Sequence, residues 1–558
     1  MTGLSPVAPD AIPPVEDCVL RDMLDNRAAA HPERDCIRFW HDRETPVEIW
    51  SYAQLRARVR IRACALAEAG VKQGDHVLCW MGNGPDLLVT WFAVNYLGAV
   101  YVPVNTAARG NPLAHILDNA DAGLMIAHPA LVTRLRDIPH GKLRRVLVTR
   151  QGDLPDDIPG LAITPLRDPE AIDEAALALS RPVNPWDVQA IMYTSGTTGP
   201  AKGVLFTYVQ HYTMGPEAME GIDAGDCCMI AGPIFHCGST LYVHASLAKG
   251  ATMAMIPEFR TADFWPAIRD TGASVVLLLG VMANFLLKAP ADPHDRAHPL
   301  AKVYIVPFGE DAPRFRDRFG SALYTVYNMT EIASPLIAGP GIEEAGLAGR
   351  VRAPFELRIV DGNDIPVPTG QVGELVIRSH RPWALFAGYY RNPEATATAM
   401  RNGWFHTGDA FRQDETGRYF FVDRIKDVIR RRGENISSFE LEAEITAHPA
   451  VREAVAVAVP SAESEDEVLA VVTAVEGQVI DPVELIGYLA ERVPHYMVPR
   501  YIRIASDLPK TASGKLQKHS LRGEGVTDDT FDREAAGIRL KRERLSARSD
   551  LTKSGRAL

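Results

Sequence analysis

Chemistry is concentrated in one stretch, Tyr193-Thr194-Ser195-Gly196-Thr197-Thr198-Gly199-Pro200-Ala201-Lys202-Gly203. It contains five hydroxyl side chains, three glycines, one proline and one lysine, and almost nothing that could pack a core. Glycines let successive backbone N–H groups turn inward and form a concave nest for an anion. Ser and Thr hydroxyls add donors, and Lys202 adds a mobile positive charge. Such a set is suited to cradling a polyphosphate. The plainer alternative, a flexible surface loop, fits less well, because an apolar run from Val188 to Met192 leads straight into the stretch and reads as a buried strand. A Walker A loop is excluded: Gly203 follows Lys202 where a Mg²⁺-binding Ser or Thr is required.

Other polar sets follow apolar runs. Asn328-Met329-Thr330-Glu331 follows Leu323–Tyr327, and a carboxylate at a strand end beside a phosphate loop is a reasonable Mg²⁺ ligand. Pro307-Phe308-Gly309-Glu310 follows Val303–Val306, and Gly280 follows Ser274–Leu279. Trp404-Phe405-His406-Thr407-Gly408-Asp409 supplies a carboxylate that can accept from two vicinal hydroxyls. Pro509-Lys510-Thr511-Ala512-Ser513-Gly514-Lys515 ends on a second lysine in a Gly-containing turn.

These loops need elements to hold them. Residues 50–130 alternate helix and strand: a helix capped by Ser51, a strand Val77–Trp80, a helix 85–97, a strand 99–104, a helix 113–119 and a strand 123–127. Such alternation implies parallel βαβ units, and open α/β sheets bind ligands at the carboxyl ends of their strands. Residues 135–185, rich in Pro and Asp, read as a surface connection. Short β segments at 355–360, 373–378 and 419–422 read as a barrel-like β subdomain. Beyond them comes a compact α+β stretch with helices 438–447 and 482–492 and strands 454–459 and 468–474. Residues 524–558, highly charged, read as a solvated tail. The fold class is therefore α/β, with a large N-terminal domain at 1–423, a hinge at 424–427, a mobile C-terminal domain at 428–523, and the tail.

Composition adds limits. The 558 residues are 46% hydrophobic and 23% charged, which is ordinary for a globular chain of two or more domains. A net charge of −11 argues against nucleic acid as a partner, though not against nucleotides bound at local patches. Seven cysteines, with no C-x-x-C among them, fit reduced thiols in the cytoplasm. Residues 1–20 lack a basic start and an apolar run, so no signal peptide is expected. Leu87–Val104 has the length of a minimal membrane span, but Asn95, Gly98 and Pro103 interrupt it. A buried helix, a turn and a strand are expected there.

The motifs together resemble those of the acyl-adenylate-forming enzymes: acyl-CoA ligases, the adenylation domains of peptide synthetases, and luciferases. The phosphate stretch resembles S-G-T-T-G-x-P-K-G, with the proline one place early. Tyr327–Glu331 resembles Y-G-x-T-E, Trp404–Asp409 resembles W-x-x-T-G-D, and Pro509–Lys515 resembles P-[RK]-T-x-x-G-K. The resemblance covers about residues 20 to 521 and is nearest in look to the crotonobetaine/carnitine and fatty-acid CoA ligases.

It implies roles. Thr194, Ser195, Gly196, Thr197, Thr198, Gly199 and Lys202 would hold the β- and γ-phosphates of ATP. Thr330 would bond the α-phosphate, and Glu331 would hold Mg²⁺. Tyr327 would stack on adenine beside Asn328 and Met329, with Gly309 and Glu310 in the adenine loop. Asn328 stands where the family has glycine. Asp409 and Arg424 would take the ribose, and Lys515 would enter from the small domain. Arg432-Gly433-Glu434-Asn435-Ile436 resembles a G-E-N-I variant beside the pantetheine path, and Lys426 occupies the hinge position. His236, Gly280 and Met282, with Asn328, would line the acyl pocket.

The expected activity is ATP-dependent ligation of a carboxylic acid to coenzyme A through an acyl-adenylate. Delivery of the acyl group to a carrier protein is the alternative, weakened by the lack of a carrier domain after residue 521. A nucleotide-sensing protein without turnover should have lost Glu331 or Lys515, and both are present. Expected partners are a small carboxylic acid, ATP, Mg²⁺ and CoA, with no nucleic acid and no transmembrane span. A homodimer stays open.

Overall fold

The structure is a computed structural model and describes residues 8, 10–149, 154–194, 200–431, 434–461, 466–510 and 516–538. The chain divides into two compact units, one running to Val422 and the other beginning at Asp423.

The larger unit holds two sheets. The first has seven strands, in the order Ala162–Pro165, Arg145–Val148, Leu124–Ala127, His76–Trp80, Val100–Pro103, Val188–Thr194, Lys202–Thr207. Neighbours are parallel, except that the last two form an antiparallel hairpin. Two of these strands, Arg145–Val148 and Ala162–Pro165, lie in the stretch read as a surface connection. Both are short: the buried run Val146–Val148 is brief within a turn-rich stretch, and the outermost strand is half exposed and lacks the apolar continuity of a central strand.

The second sheet has thirteen strands. Its middle is parallel: Ala322–Tyr327, Lys302–Val306, Val275–Leu279, Cys227–Ile230, Thr252–Met255 and Asp35–Phe39. Past Ala322–Tyr327 it turns antiparallel through Leu336–Ala338 and Leu347–Val351. The short β segments expected beyond residue 350 continue from there.

Local chemistry explains several elements. Helix Tyr52–Glu68 starts in a capping box, with Ser51 Oγ accepting from Gln54 N–H and Gln54 Oε1 accepting from Ser51 N–H. The apolar run at 87–104 is a helix, Pro85–Tyr96, buried along nearly its whole length, followed by the strand Val100–Pro103. No described helix is long and apolar enough to cross a membrane. Asn95 belongs inside this helix because its amide is satisfied. It donates to the Ala99 and Gln189 carbonyls and accepts from the Trp91 indole. The Gln189 contact ties the helix to the strand that leads into the phosphate stretch.

A second buried polar chain braces the same strand. His244 Nε2–H donates to the Cys18 carbonyl at 3.2 Å, leaving its Nδ1 to accept from His211 Nδ1–H at 2.7 Å. The same His211 proton faces Gln189 Oε1 at 2.8 Å. Both imidazoles are fully buried, and the single His211 Nδ1–H is shared between two acceptors.

The smaller unit pairs Val451–Pro460, Asp466–Ala474, Tyr501–Ile504 and Phe531–Asp532 in a four-stranded sheet. Helices Ser438–Thr446, Pro482–Ala490 and Lys518–Glu524 belong to it. The charged tail therefore starts later than its composition implied. Phe531 and Ile538 pack against the unit's core, and Asp532 pairs with Arg500 at 3.0 Å.

Burial holds His211 well below the ordinary histidine range and His244 down to about 3. Below about pH 6.5 the unfolded chain protonates both while the folded chain does not. The unfolded state then binds more protons, so stability rises with pH from about 3 to about 6.5 and falls on acidification through that window. His244→Gln should flatten this part of the urea-stability profile against pH. A profile as steep as that of the unaltered chain would show that the pair is not the source.

Candidate active site

The phosphate stretch closes a hairpin. Thr194 is paired with Lys202 and Tyr193 with Gly203, so residues 195–201 form the connection. Ser195, Gly196, Thr197, Thr198 and Gly199 lie outside the described residues. Lys202, expected as a mobile charge on the loop, instead opens the return strand. Its ammonium lies 4.8 Å from the ring centroid of Tyr389. Gly203 is required by space: a Cβ there would sit 2.8 Å from Ile191 Cγ2 and 3.2 Å from the Tyr193 ring.

The strap around Tyr389 joins this hairpin to the second sheet. Tyr390 N–H donates to the Gly203 carbonyl at 2.7 Å, and Leu205 and residues 387–388 exchange two backbone bonds. On its other side, Phe386 N–H donates to the Glu331 carbonyl at 3.0 Å. The Tyr389 hydroxyl donates to Glu331 Oε1 at 2.9 Å. Burial, and then the Glu331 charge, push the Tyr389 hydroxyl far above its ordinary pKa, so it stays a donor.

Glu331 stands in a tight loop between Ala322–Tyr327 and Leu336–Ala338, whose strands pair Tyr327 with Leu336. Bonds from three directions set this loop. The Gln210 amide donates to the Thr330 carbonyl at 2.8 Å. Asn328 Oδ1 accepts from Ser334 N–H at 3.1 Å. Arg352 donates to the Ser334 and Ala333 carbonyls, both at 2.7 Å, and also reaches Thr213. Burial lowers the Arg352 pKa to about 10, which leaves the guanidinium charged near neutrality.

The residues flanking Glu331 continue the chain of contacts. Thr330 Oγ1 is 3.5 Å from Cys237 Sγ, and Asn328 Nδ2 is 3.9 Å from the same sulfur. Cys237 opens the helix Cys237–Lys249, with His236 as the residue before its first turn. The Tyr327 hydroxyl donates to Asp409 Oδ2 at 2.7 Å and also faces Met329 Sδ at 3.4 Å. Asp409 is buried, and its turn is fixed by Gly408 N–H on Glu374 and Thr407 Oγ1–H on the Leu375 carbonyl.

Thus Lys202, Glu331, Thr330, Asn328, Met329, Tyr327 and Asp409 lie on one path of contacts, with Thr194 and His236 adjoining it. Gly280 and the loop carrying Gly309 and Glu310 sit side by side at the ends of the neighbouring strands, since a Cβ at Gly280 would lie 3.3 Å from the Pro307 carbonyl. Met282 packs against the hydrophobic cluster that includes Phe264, Ala283 and Leu286.

In the smaller unit, Arg424 and Lys426 lie in a turn closed by Asp427 and Val428 N–H on the Arg424 carbonyl. Glu434 opens the short strand Glu434–Ile436. Gly433 and Lys515 fall outside the described residues.

Tyr389, Gln210 and Cys237 were not singled out by sequence. Gly388-Tyr389-Tyr390 before a capped helix reads as ordinary packing, and Gln210 and Cys237 carry no local motif.

Residues 24–390 match the AMP-binding enzyme family, and residues 440–515 match its C-terminal domain. The chain belongs to the AMP-binding enzyme family. It is 31% identical over 518 residues to the crotonobetaine/carnitine–CoA ligase of Salmonella typhimurium (strain LT2), covering 90% of this chain and 98% of the relative. The same figures hold for the enzyme of that name from Salmonella typhi. Among solved structures, ATP-bound MatB from Rhodopseudomonas palustris superposes with a TM-score of 0.76 at 25% identity, over 91% of this chain and 98% of that one. The anthranilate CoA ligase AuaEII, solved with anthranoyl-AMP, shares the fold at a TM-score of 0.78 and 19% identity, over 90% and 96% of the two chains.

The Arg352 brackets make a prediction. Arg352→Met leaves the Ser334 and Ala333 carbonyls without their cationic donor, while Glu217 keeps Arg381, and should destabilise the chain by roughly 3 kcal/mol. Arg352→Lys keeps charge but not the planar fork and should recover only part of that loss. Urea unfolding midpoints measure both, and equal midpoints for all three chains would contradict the assignment.

Proposed function

We propose that these loops form a single site at which the chain makes an acyl-adenylate and then an acyl-CoA thioester. The chain is an ATP-dependent, AMP-forming carboxylic acid–coenzyme A ligase. The contact path from Lys202 through Tyr389 and Glu331 to Asp409 supports the reading, because it brings together the residues assigned here to phosphate, metal and ribose.

In the first step a carboxylate oxygen of the acid attacks the α-phosphorus of ATP, and pyrophosphate leaves. Negative charge gathers on phosphoryl oxygens, so fixed cations and N–H donors supply most of the catalysis. Lys202 and the Thr194–Gly199 nest take the β- and γ-phosphates. Thr330 bonds the α-phosphate, Tyr327 packs on adenine beside Asn328, Met329, Gly309 and Glu310, and Asp409 and Arg424 hold the ribose. Glu331 fits Mg²⁺: it is a buried hard oxygen donor already oriented by the Tyr389 hydroxyl. Bound there, Mg²⁺ would screen the phosphate charge that the acid must approach.

In the second step the CoA thiolate attacks the acyl carbon and AMP leaves. Lys515 serves the first step; Gly433 and Glu434 serve the second by lining the pantetheine path. Both sets belong to the domain beyond Lys426, so a rotation about Lys426 presents each in turn, a hinge motion between two packed arrangements. We place the enzyme in the cytoplasm, where ATP and CoA are supplied and its seven cysteines stay reduced.

The acid is an aliphatic or alicyclic one without a fixed positive charge. A quaternary ammonium is held by a carboxylate or an aromatic cage. His236, Gly280, Val281, Met282, Asn328 and Ile332–Leu336 include neither. With such an acid, ATP should be converted to AMP and pyrophosphate, and carnitine should give far less pyrophosphate. Release of ADP and orthophosphate would overturn the reading, since attack would then fall on the γ-phosphorus.

The half-reactions should separate by mutation. Lys515→Ala should slow adenylate formation by roughly 3 kcal/mol of barrier, the scale of one lost transition-state contact. It should spare thioester formation from a synthetic acyl-adenylate. Gly433→Leu should do the reverse. Pre-steady-state rates for each step decide this, and equal losses in both steps would make the small domain a static lid.

A further inference from the structure

We propose that Tyr389 is a positioning residue for the phosphate site, holding the Glu331 carboxylate with its hydroxyl and the Lys202 ammonium with its ring face. The proposal rests on the reading of Glu331 as the Mg²⁺ ligand and Lys202 as a phosphate donor.

Three observations converge on it. The hydroxyl meets Glu331 Oε1 at 2.9 Å, and the Lys202 ammonium lies 4.8 Å from the ring centroid. One side chain therefore touches an anion and a cation carried by different sheets. The backbone fixes it to both: Val204 and Tyr389 bridge, Tyr390 bonds Gly203, and Phe386 bonds the Glu331 carbonyl. Finally, the ring is itself clamped. Tyr389 N–H donates to Thr396 Oγ1 at 2.9 Å, and the Phe386 ring meets it edge-on at 4.9 Å.

The two halves of the side chain have separable effects. The hydroxyl bonds one oxygen of a buried carboxylate and so favours one of its rotamers. Hydrogen bonds to charged groups are the stronger ones, so the carboxylate orientation depends on it. The ring face attracts Lys202 and keeps its ammonium near the loop before nucleotide arrives, at a modest cation–π strength. A tyrosine that merely filled core volume would affect folding but not the metal dependence of nucleotide binding.

Equilibrium binding of ATP, measured by calorimetry across a series of Mg²⁺ concentrations, tests this in the full chain. Tyr389→Phe keeps the ring and should raise the Mg²⁺ concentration for half-maximal tight binding on the order of tenfold. ATP affinity at saturating Mg²⁺ should stay within about twofold. Tyr389→Leu should show the same shift and also lose a few-fold in ATP affinity at saturating Mg²⁺, through Lys202.

Glu331→Gln should shift the Mg²⁺ midpoint by itself, and adding Tyr389→Phe to it should produce no further shift. If Glu331→Gln leaves the midpoint unchanged, the metal reading fails. If Glu331→Gln shifts it and Tyr389→Phe does not, the proposal for Tyr389 alone is overturned. Additive shifts in the double variant would also overturn it, because the two residues would then act independently. Thermal melting of each variant separates folding loss from these outcomes.

Discussion

The backbone bond from Tyr390 N–H to the Gly203 carbonyl, 2.7 Å long, is the constraint on which the site depends. It sews a strap of the second sheet's chain onto the hairpin that ends the first sheet. Only where the strap runs do Lys202 and Glu331 come within reach of one side chain. Gly203 permits this because no Cβ fits between Ile191 and Tyr193. The site is thus the product of a close backbone approach as much as of charged side chains.

Charge then explains how an acidic chain can handle a polyanion. The net charge is −11, so nucleotide binding has to rest on local groups. In the proposed reading the charges of the site are held in place. Lys202 is held over a ring, and the Glu331 carboxylate is turned by a hydroxyl that stays protonated. Beneath the hairpin, neutral His211 and His244 and the Asn95 amide brace Gln189 without adding charge. Rigid polar groups below and preoriented charges above are what electrostatic stabilisation of a phosphoryl transition state requires.

Much of this was legible in the sequence, for local reasons. The strands Val77–Trp80 and Phe355–Val360 are short apolar or alternating runs bounded by turn residues, and spacing alone marks them. Thr330 and Glu331 stand just past a strand end and Asp409 inside the strand Phe405–Gln413, each in a compact motif that marks it without knowledge of its neighbours. The outermost strand Ala162–Pro165 was hidden because an edge position tolerates polar residues and proline, and Arg145–Val148, paired on both sides, because its apolar run is so short within a Pro- and Asp-rich stretch. The docked segment near Phe531 was hidden by the charges around it. Tyr389 was hidden for a different reason: its partner Glu331 is 58 positions away, and no periodicity in a sequence reports a contact across two sheets.

The central claim is that the carboxylate of the acid attacks the α-phosphorus at this site. Isotope transfer tests it most directly. An acid labelled with ¹⁸O in both carboxylate oxygens is turned over with ATP and CoA, and the products are read by mass spectrometry. The account predicts one ¹⁸O in AMP and none in pyrophosphate. Label in orthophosphate, or unlabelled AMP alongside full thioester formation, would contradict it.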